Sequence, residues 1–118
     1  MGKQEETKIG EKIIGHLKMY KDQGAPIYYE HRSGSGGFNY KKGVPDIWFT
    51  VNGMHVECEV KTATGHLSTM QEQFKWRCEK IYHCGYINPH SFEEFITSFN
   101  ELLCQQGVPL INKKSSQD

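Results

Sequence analysis

Apolar side chains recur at helical spacing near the N-terminus. The segment from about Glu5 to Lys21 predicts a first helix. Its apolar face is formed by Ile9, Ile13, Ile14, Leu17 and Tyr20. Gly24 and Pro26 follow, and both residue types interrupt helices, so we expect the helix to end before Gly24.

Two capping boxes predict the starts of two further helices. The box Ser68–Gln71 opens a helix that runs to about Tyr82 and is ended by Gly85. Its apolar stripe consists of Met70, Phe74, Cys78 and Ile81. The box Ser91–Glu94 opens the last helix, which Gly107 closes. Its stripe consists of Phe92, Phe95, Ile96, Phe99, Leu102 and Leu103.

Between the helices the pattern is typical of strands. Four segments have strand character: Ile27–Glu30, Asp46–Val51, Met54–Lys61 and Tyr86–Ile87. The resulting order, α-β-β-β-α-β-α, predicts a single α/β domain over residues 1–111 with a small mixed central β-sheet flanked by helices. Residues 112–118 are polar and are expected to form a disordered tail.

The dipeptide Asn52-Gly53 predicts a two-residue hairpin turn, which fixes the pairing of the strands beside it. Counting outward from the turn, Val51 faces Met54 and Asp46 faces Glu59. One side of the hairpin is then apolar and belongs to the core: Ile47, Phe49, Val51, Met54, Val56, Cys58 and Val60. The other side carries Asp46, Trp48, Thr50, His55, Glu57, Glu59 and Lys61.

The facing pair of Asp46 and Glu59 indicates a cation site. Their Cβ atoms should lie roughly 5 Å apart, where like charges repel and destabilise a sheet. A divalent cation between them would remove that repulsion, and carboxylate ligands suit Mg²⁺ or Mn²⁺. Lys61 projects from the same side and would lie near the metal. Spacing alone leaves a second interpretation open, an exposed polar hairpin face on which Lys61 offsets the two acids.

The first helix offers a third acid. At about 100° per residue, its apolar stripe centres near Leu17 and Ile13. Glu6 lies within roughly 20° of that centre, whereas Glu11 lies on nearly the opposite side. We therefore expect Glu6, and not Glu11, to reach a site on the sheet. The alternative interpretation is that Glu6 belongs to a frayed helix end.

Charge and cysteine content narrow the functional classes. The chain has 118 residues with 14 basic and 14 acidic side chains, which argues against nucleic-acid binding by charge alone. Bound divalent ions would restore positive charge at an acidic site. No apolar run reaches membrane-spanning length and the N-terminus has no signal-like segment, so we expect a cytoplasmic protein. The chain has four cysteines, which we expect to be reduced, buried thiols. The alternative is a zinc site formed by Cys78, His83 and Cys84.

Residues 32–37 are rich in glycine and serine and predict a loop. Basic residues and a histidine lie at or near its two ends: His31, Arg32, Lys41 and Lys42. The loop lacks a Walker pattern, because no Gly-Lys-Ser/Thr follows it. Two interpretations stay open, contact with a nucleic-acid backbone and a solvated connector.

Several motifs occur in an order that resembles one nuclease family. They are Glu6-Thr7-Lys8-Ile9, Gly43-Val44-Pro45-Asp46, Glu59-Val60-Lys61, Gly65 and Leu67-Ser68-Thr69-Met70-Gln71. This set resembles the VRR-NUC family (virus-type replication and repair nucleases), a branch of the PD-(D/E)xK superfamily. The resemblance runs from Glu6 to about Glu94 and implies a PD-(D/E)xK nuclease-like fold.

The resemblance also implies residue roles. Asp46, Glu59 and the backbone carbonyl of Val60 would hold Mg²⁺ or Mn²⁺, with Glu6 contributing through water. Lys61 would orient the attacking water and stabilise the transition state, with Gln71 as its support. The reaction would be phosphodiester hydrolysis. Short stand-alone members look like phage enzymes similar to Holliday-junction resolvases, which act as homodimers on branched DNA.

The leading hypothesis is therefore a metal-dependent, structure-selective DNA endonuclease that acts on branched DNA such as four-way junctions. Its candidate DNA contacts are Arg32, Lys41, Lys42, Lys75 and Arg77. One alternative is a catalytically inactive DNA-binding module with the same fold. Another is a small protein-interaction domain with an incidental acidic face.

Overall fold

The computed structural model describes residues 2–32 and 43–111. Within these ranges the elements are α1 (Gly2–Asp22), β1 (Ile27–His31), β2 (Ile47–Val51), β3 (Met54–Cys58), α2 (Thr69–Lys80), β4 (Gly85–Ile87) and α3 (Phe92–Gln105). The expected α/β class and the order α-β-β-β-α-β-α are confirmed. Most of the glycine-rich segment, with Lys41 and Lys42, and the polar tail lie outside the described residues.

The four strands form one mixed sheet in the order β1-β2-β3-β4. Strands β1, β2 and β3 pair antiparallel, whereas β4 runs parallel to β3. The central turn is as expected, because Asn52 and Gly53 both have positive φ, 51° and 89°. Its ladder runs from Val51↔Met54 to Ile47↔Cys58, which is the register counted from the sequence.

One face of the sheet packs against α1 and α3. The buried residues of this core include Ile13, Leu17, Tyr20, Phe49, Val51, Val56, Phe95, Phe99 and Leu103. The rings of Tyr20 and Phe99 meet edge to face at 5.1 Å, and Phe49 packs edge-on against Phe99 at 5.7 Å. The Tyr20 hydroxyl accepts a hydrogen bond from the Ile111 N–H at 2.8 Å, so α1 also holds the segment that follows α3.

Helix α2 packs differently from the expected pattern. Phe74 contacts the Tyr86 ring at 6.5 Å and Cys78 is buried, but Met70 and Ile81 are 48% and 50% exposed. The reason is that the helix rests on the three-residue strand β4, which covers only a narrow part of its stripe. The helix ends at Lys80 rather than about Tyr82, and Gly85 lies in β4 instead of capping the helix.

Strand β3 ends at Cys58 and not at Lys61 as expected. Beyond Cys58 the chain bonds to the segment that follows β4. The Glu59 N–H donates to the Ile87 carbonyl at 2.9 Å, and the Lys61 N–H donates to the Pro89 carbonyl at 3.1 Å. Glu59 and Asp46 therefore flank the last hairpin pair at the same end of the sheet, although neither belongs to the ladder.

The two expected capping boxes differ. Ser68 and Gln71 form a complete box at the start of α2. At α3 the Ser91 hydroxyl accepts from the Glu94 N–H at 3.1 Å, as expected. The Glu94 carboxylate, however, accepts from the His90 N–H at 2.8 Å rather than from Ser91. The second box is therefore only half formed, because Glu94 reaches one residue further back.

Gly43, which lies just before β2 in the chain, packs against the first turn of α2. Its φ is +87°, and a Cβ built there would lie 2.6 Å from the Met70 carbonyl oxygen, which is closer than real Cβ atoms approach. Glycine is thus required both for its conformation and for its close approach to α2. This contact places the first turn of α2 beside the segment that leads to Asp46.

Replacing Gly43 by alanine should destabilise the protein more than the same change at Gly53. Both glycines have similar positive φ, but the added Cβ meets nothing within 4 Å at Gly53. Gly53→Ala isolates the conformational cost of about 1–2 kcal/mol. Gly43→Ala adds a backbone clash that should cost about 1–3 kcal/mol more. Denaturant unfolding measures both, and equal losses would show that the contact with α2 is unimportant.

Candidate metal centre

A cavity of about 390 Å³ opens where β2 begins and β3 ends. The first turns of α1 form one wall and the end of the sheet forms the other. Its lining residues are Glu6, Thr7, Gly10, Glu11, His31, Asp46, Ile47, Glu59 and Val60. The two carboxylates predicted to face each other, Asp46 and Glu59, thus line a single cavity.

Glu59 is fixed by the segment that follows β4. Besides the bond from its N–H to Ile87, its carbonyl accepts from the Asn88 side-chain amide at 2.6 Å. The side chain is half-buried, and its Oε1 atom is fully enclosed without a hydrogen-bond partner among the described residues. An enclosed carboxylate oxygen without a partner is costly when ionised, so the site is suited to a proton or a cation.

The electrostatics of the cavity agree with this geometry. Burial raises the pKa of Glu59 from 4.5 to about 7. Lys61 opposes the rise, whereas the negative charges of Asp46, Glu6 and Glu57 add to it. Three other acids therefore act on this one carboxyl, and a cation bound among them would reverse the effect.

The acids of α1 are only partly placed as expected. Glu6 lines the cavity, is half-buried and acts electrostatically on Glu59. Glu11 also lines the cavity, so the expectation that it faces away from the site is wrong. The helix positions that line the cavity are Glu6, Thr7, Gly10 and Glu11, so the cavity lies to one side of the apolar stripe and not at its centre.

Lys61 and Gln71 are not among the lining residues of this cavity in the described part of the chain. Lys61 is half-buried and near enough to lower the pKa of Glu59. The side-chain Oε1 atom of Gln71 accepts from the Ser68 N–H at 2.8 Å, so this side chain serves the capping box of α2. The catalytic role expected for Gln71 stays a prediction, beside this structural role.

The expected DNA contacts separate into two groups. Arg77 is exposed, and Lys75 forms an ion pair of 3.2 Å with Glu79 on the same helix. Arg32, in contrast, donates from both terminal nitrogens to the Glu57 carboxylate, at 2.8 and 2.9 Å. Its guanidinium is therefore engaged by Glu57 within the fold. The expected role of Arg32 as a DNA contact stays a prediction, beside this structural role.

Two residues near the site were missed by the sequence reasoning. His31 lines the cavity because it pairs with Ile47, next to Asp46; a register for β1 would have revealed it. The Tyr86 hydroxyl is buried with no hydrogen-bond partner among the described residues, and burial followed by Glu59 raises its pKa. No sequence signal indicates Tyr86, because the parallel pairing of β4 leaves no local mark.

The residues present suit a hard divalent cation better than zinc. No three His, Cys, Asp or Glu side chains converge into a ligand group within residues 2–32 and 43–111. Mg²⁺ is commonly bound by one or two carboxylates and keeps several waters, so Asp46 and Glu59 are the residues that could hold it. The cysteines of the alternative zinc site donate elsewhere, Cys78 to the Gly85 carbonyl and Cys84 to the Tyr82 carbonyl.

Comparisons with family models, with curated proteins and with solved structures find no match to this chain. None of the described helices is long and apolar enough to cross a membrane. The resemblance to the VRR-NUC family therefore stays a prediction that rests on the motifs. The geometry and electrostatics of the cavity do not depend on that resemblance.

Replacing Glu59 by glutamine should stabilise the metal-free protein at pH 8 but not at pH 4. Because the pKa of Glu59 is raised to about 7 in the folded state, its favourable contribution is complete below about 4.5 and is lost as pH rises through 7. The difference should reach at most about 3 kcal/mol.

Denaturant unfolding in EDTA at the two pH values measures this difference. Glu101→Gln, which changes an exposed acid of α3, is the matched control and should shift stability little at either pH. If Glu59→Gln and wild type have equal stability at pH 8, the carboxylate of Glu59 is not strained in the folded protein.

Proposed function

We propose that this chain is a divalent-metal-dependent nuclease that hydrolyses phosphodiester bonds in DNA. The observation that carries the proposal is the enclosed Oε1 atom of Glu59, which lacks a hydrogen-bond partner among the described residues and lies in a cavity shared with Asp46 and Glu6. A fold that only needed polarity at its surface would gain nothing from enclosing this carboxylate.

Asp46, Glu59 and the backbone carbonyl of Val60 would hold Mg²⁺ or Mn²⁺, with Glu6 acting through water. All four residues line the cavity. A bound ion would polarise the phosphodiester and lower the pKa of a coordinated water. The residues themselves supply orientation, because Glu59 is fixed on both sides of its backbone by Ile87 and Asn88.

Lys61 is the cation of the chain that best matches a role in the reaction. It lies two residues beyond Glu59 and acts on it electrostatically. Its ammonium would orient the attacking water and stabilise the negative charge that develops on the phosphate oxygens. His31, which pairs with Ile47, supplies a further polar group at the cavity.

Helix α2 is the proposed DNA-binding surface. Its first turn contacts Gly43, three residues before Asp46 in the chain. Arg77 and Lys75 lie further along it, and Arg77 is exposed. Preference for branched DNA, including four-way junctions, and action as a homodimer are proposals that rest on the family resemblance and on the symmetry of a junction.

One observation favours a second candidate, a catalytically inactive DNA-binding module. No group of three acidic, histidine or cysteine ligands converges in the part of the chain that the structure describes. Under this hypothesis the acids around the cavity are a remnant, and DNA binding would not depend on metal. The raised pKa of Glu59 would then have no role in function.

The protein should cleave a labelled four-way DNA junction in Mg²⁺ or Mn²⁺ and not in EDTA. Asp46→Ala and Glu59→Ala should abolish cleavage, and Lys61→Ala should reduce it by about 10²–10³-fold, because it removes one fixed charge from the transition state. A duplex of matched sequence tests selectivity for branches.

Lys18→Ala is the matched control for the lysine, since Lys18 is exposed and paired with Asp22 on α1. Circular dichroism confirms that each variant is folded. No cleavage of any substrate by folded wild type, together with DNA binding that EDTA leaves unchanged, would establish the inactive module instead.

Replacing Arg77 by glutamine should weaken DNA binding equally for different sequences and lower its dependence on salt. If Arg77 neutralises one phosphate, the slope of log K against log salt concentration should fall by about 1. Fluorescence anisotropy with labelled DNA in Ca²⁺ measures the slope. Lys18→Gln serves as the control, and an unchanged slope for Arg77→Gln would remove this part of α2 from the DNA-binding surface.

A further inference from the structure

Of the charged side chains that the structure describes, only Glu57 is buried, with 4% of its surface exposed. It lies on β3, on the side of the sheet opposite the main core. Sequence reasoning placed it on an outer polar face, where a carboxylate would be solvated. Burying an acid there has an electrostatic cost, and its partners indicate what the fold gains.

Arg32 is the main partner of Glu57. Its two terminal nitrogens donate to the two oxygens of the Glu57 carboxylate at 2.8 and 2.9 Å, which is a bidentate fork. His55 adds a third contact, with its Nε2 atom 2.6 Å from Glu57 Oε2. The His55 ring in turn stacks on Trp48 at 4.8 Å. Arg32 and Glu57 are therefore held in one orientation.

Arg32 also binds the backbone beside the cavity. Its Nη1 atom donates to the Pro45 carbonyl at 2.7 Å, and its own N–H donates to the Asp46 carbonyl at 2.5 Å. One residue thus binds two successive carbonyl oxygens at the entry to β2. The ladders of β2 begin at Ile47, so they do not reach Pro45 and Asp46. The bonds from Arg32 fix this segment instead, in which Pro45 has no N–H to donate.

We propose that Arg32 and Glu57 are a positioning pair that fixes the backbone at Asp46 and so orients the Asp46 carboxylate in the cavity. This inference rests on the proposed function, since it gives Asp46 a ligand role. Partners that orient metal ligands commonly change metal affinity or activity by 10–100-fold when they are replaced. Neither residue lines the cavity, and the contact of Arg32 with the site runs through the backbone of Pro45 and Asp46. Glu57 also acts electrostatically on Glu59, so Arg32 variants test positioning most directly.

Arg32→Lys is the decisive variant. Lysine keeps the charge opposite Glu57, but its single nitrogen lacks the planar fork that binds Glu57 and Pro45 together. We expect the Mn²⁺ dissociation constant, measured by calorimetry, to rise about 10–100-fold while the protein stays folded. Glu57→Gln should have the same direction of effect, because the fork loses its charge. Lys18→Gln, which removes the exposed pair with Asp22, should change nothing.

A charge swap separates positioning from stability. In the double variant Arg32→Glu with Glu57→Arg the pair is restored, but the guanidinium now starts from β3 and leaves the Pro45 carbonyl unbound. We expect the melting temperature to recover more than Mn²⁺ affinity does. Equal recovery of both would show that the pair only stabilises the fold. If the swap does not fold, Arg32→Lys carries the same test.

Amide hydrogen exchange makes the inference independent of metal and cleavage. Because the N–H of residue 32 donates to the Asp46 carbonyl, its exchange should accelerate in metal-free Arg32→Lys and Glu57→Gln. Wild type that binds no Mn²⁺ and cuts no DNA would overturn the proposed function. Accelerated amide exchange at residue 32 in the two variants would still support the positioning pair. Folded variants with wild-type exchange and wild-type Mn²⁺ affinity would overturn the positioning pair.

Discussion

The register of one hairpin determines what meets at the end of this sheet. Asn52 and Gly53 both adopt positive φ, and the two-residue turn they form allows a single alignment of β2 and β3. A slip by one residue would move the apolar side chains out of the core and turn both acids to the wrong side. The cavity and its electrostatics therefore depend on a local feature several residue pairs away.

The fold combines a stabilising apolar core with a destabilising cluster of acids. On one face of the sheet, aromatic and aliphatic side chains from α1 and α3 form a dry core of ordinary composition. At the end of the sheet, the same framework brings three acids close enough to Glu59 to act on it electrostatically. The first arrangement stabilises the fold and the second destabilises it, which is the usual relation between a scaffold and a site with a chemical function.

Features encoded over a few residues were predictable, and features made by distant pairing were not. The hairpin register, the caps at Ser68 and Ser91 and the class of fold all follow from neighbouring residues. The end of β3 at Cys58 does not, because it depends on bonds from Glu59 to a strand almost thirty residues later. Likewise, Arg32 follows β1 and Glu57 lies on β3, and no local sequence pattern near either residue indicates their ion pair.

The same distinction separates the residues of the candidate site. Counting residues outward from the Asn52-Gly53 turn predicts that Asp46 faces Glu59. Helical geometry predicts that Glu6 points towards the sheet. The position of Glu11 does not follow from the apolar stripe, because the cavity lies to one side of that stripe, along Glu6, Thr7, Gly10 and Glu11. The positions of His31 and Tyr86 follow from the pairing of β1 with β2 and of β4 with β3. A single sequence does not specify these pairings.

The parallel strand β4 also has a consequence for how the molecule assembles. A hairpin with a two-residue turn forms within about 1–10 μs, whereas pairing β4 with β3 requires closing a much longer loop that contains α2. Glu59 is anchored by Ile87 and Asn88, so it becomes enclosed only when that late pairing occurs. We therefore expect this carboxylate to be hydrated until β4 pairs with β3, so that its charge opposes that pairing.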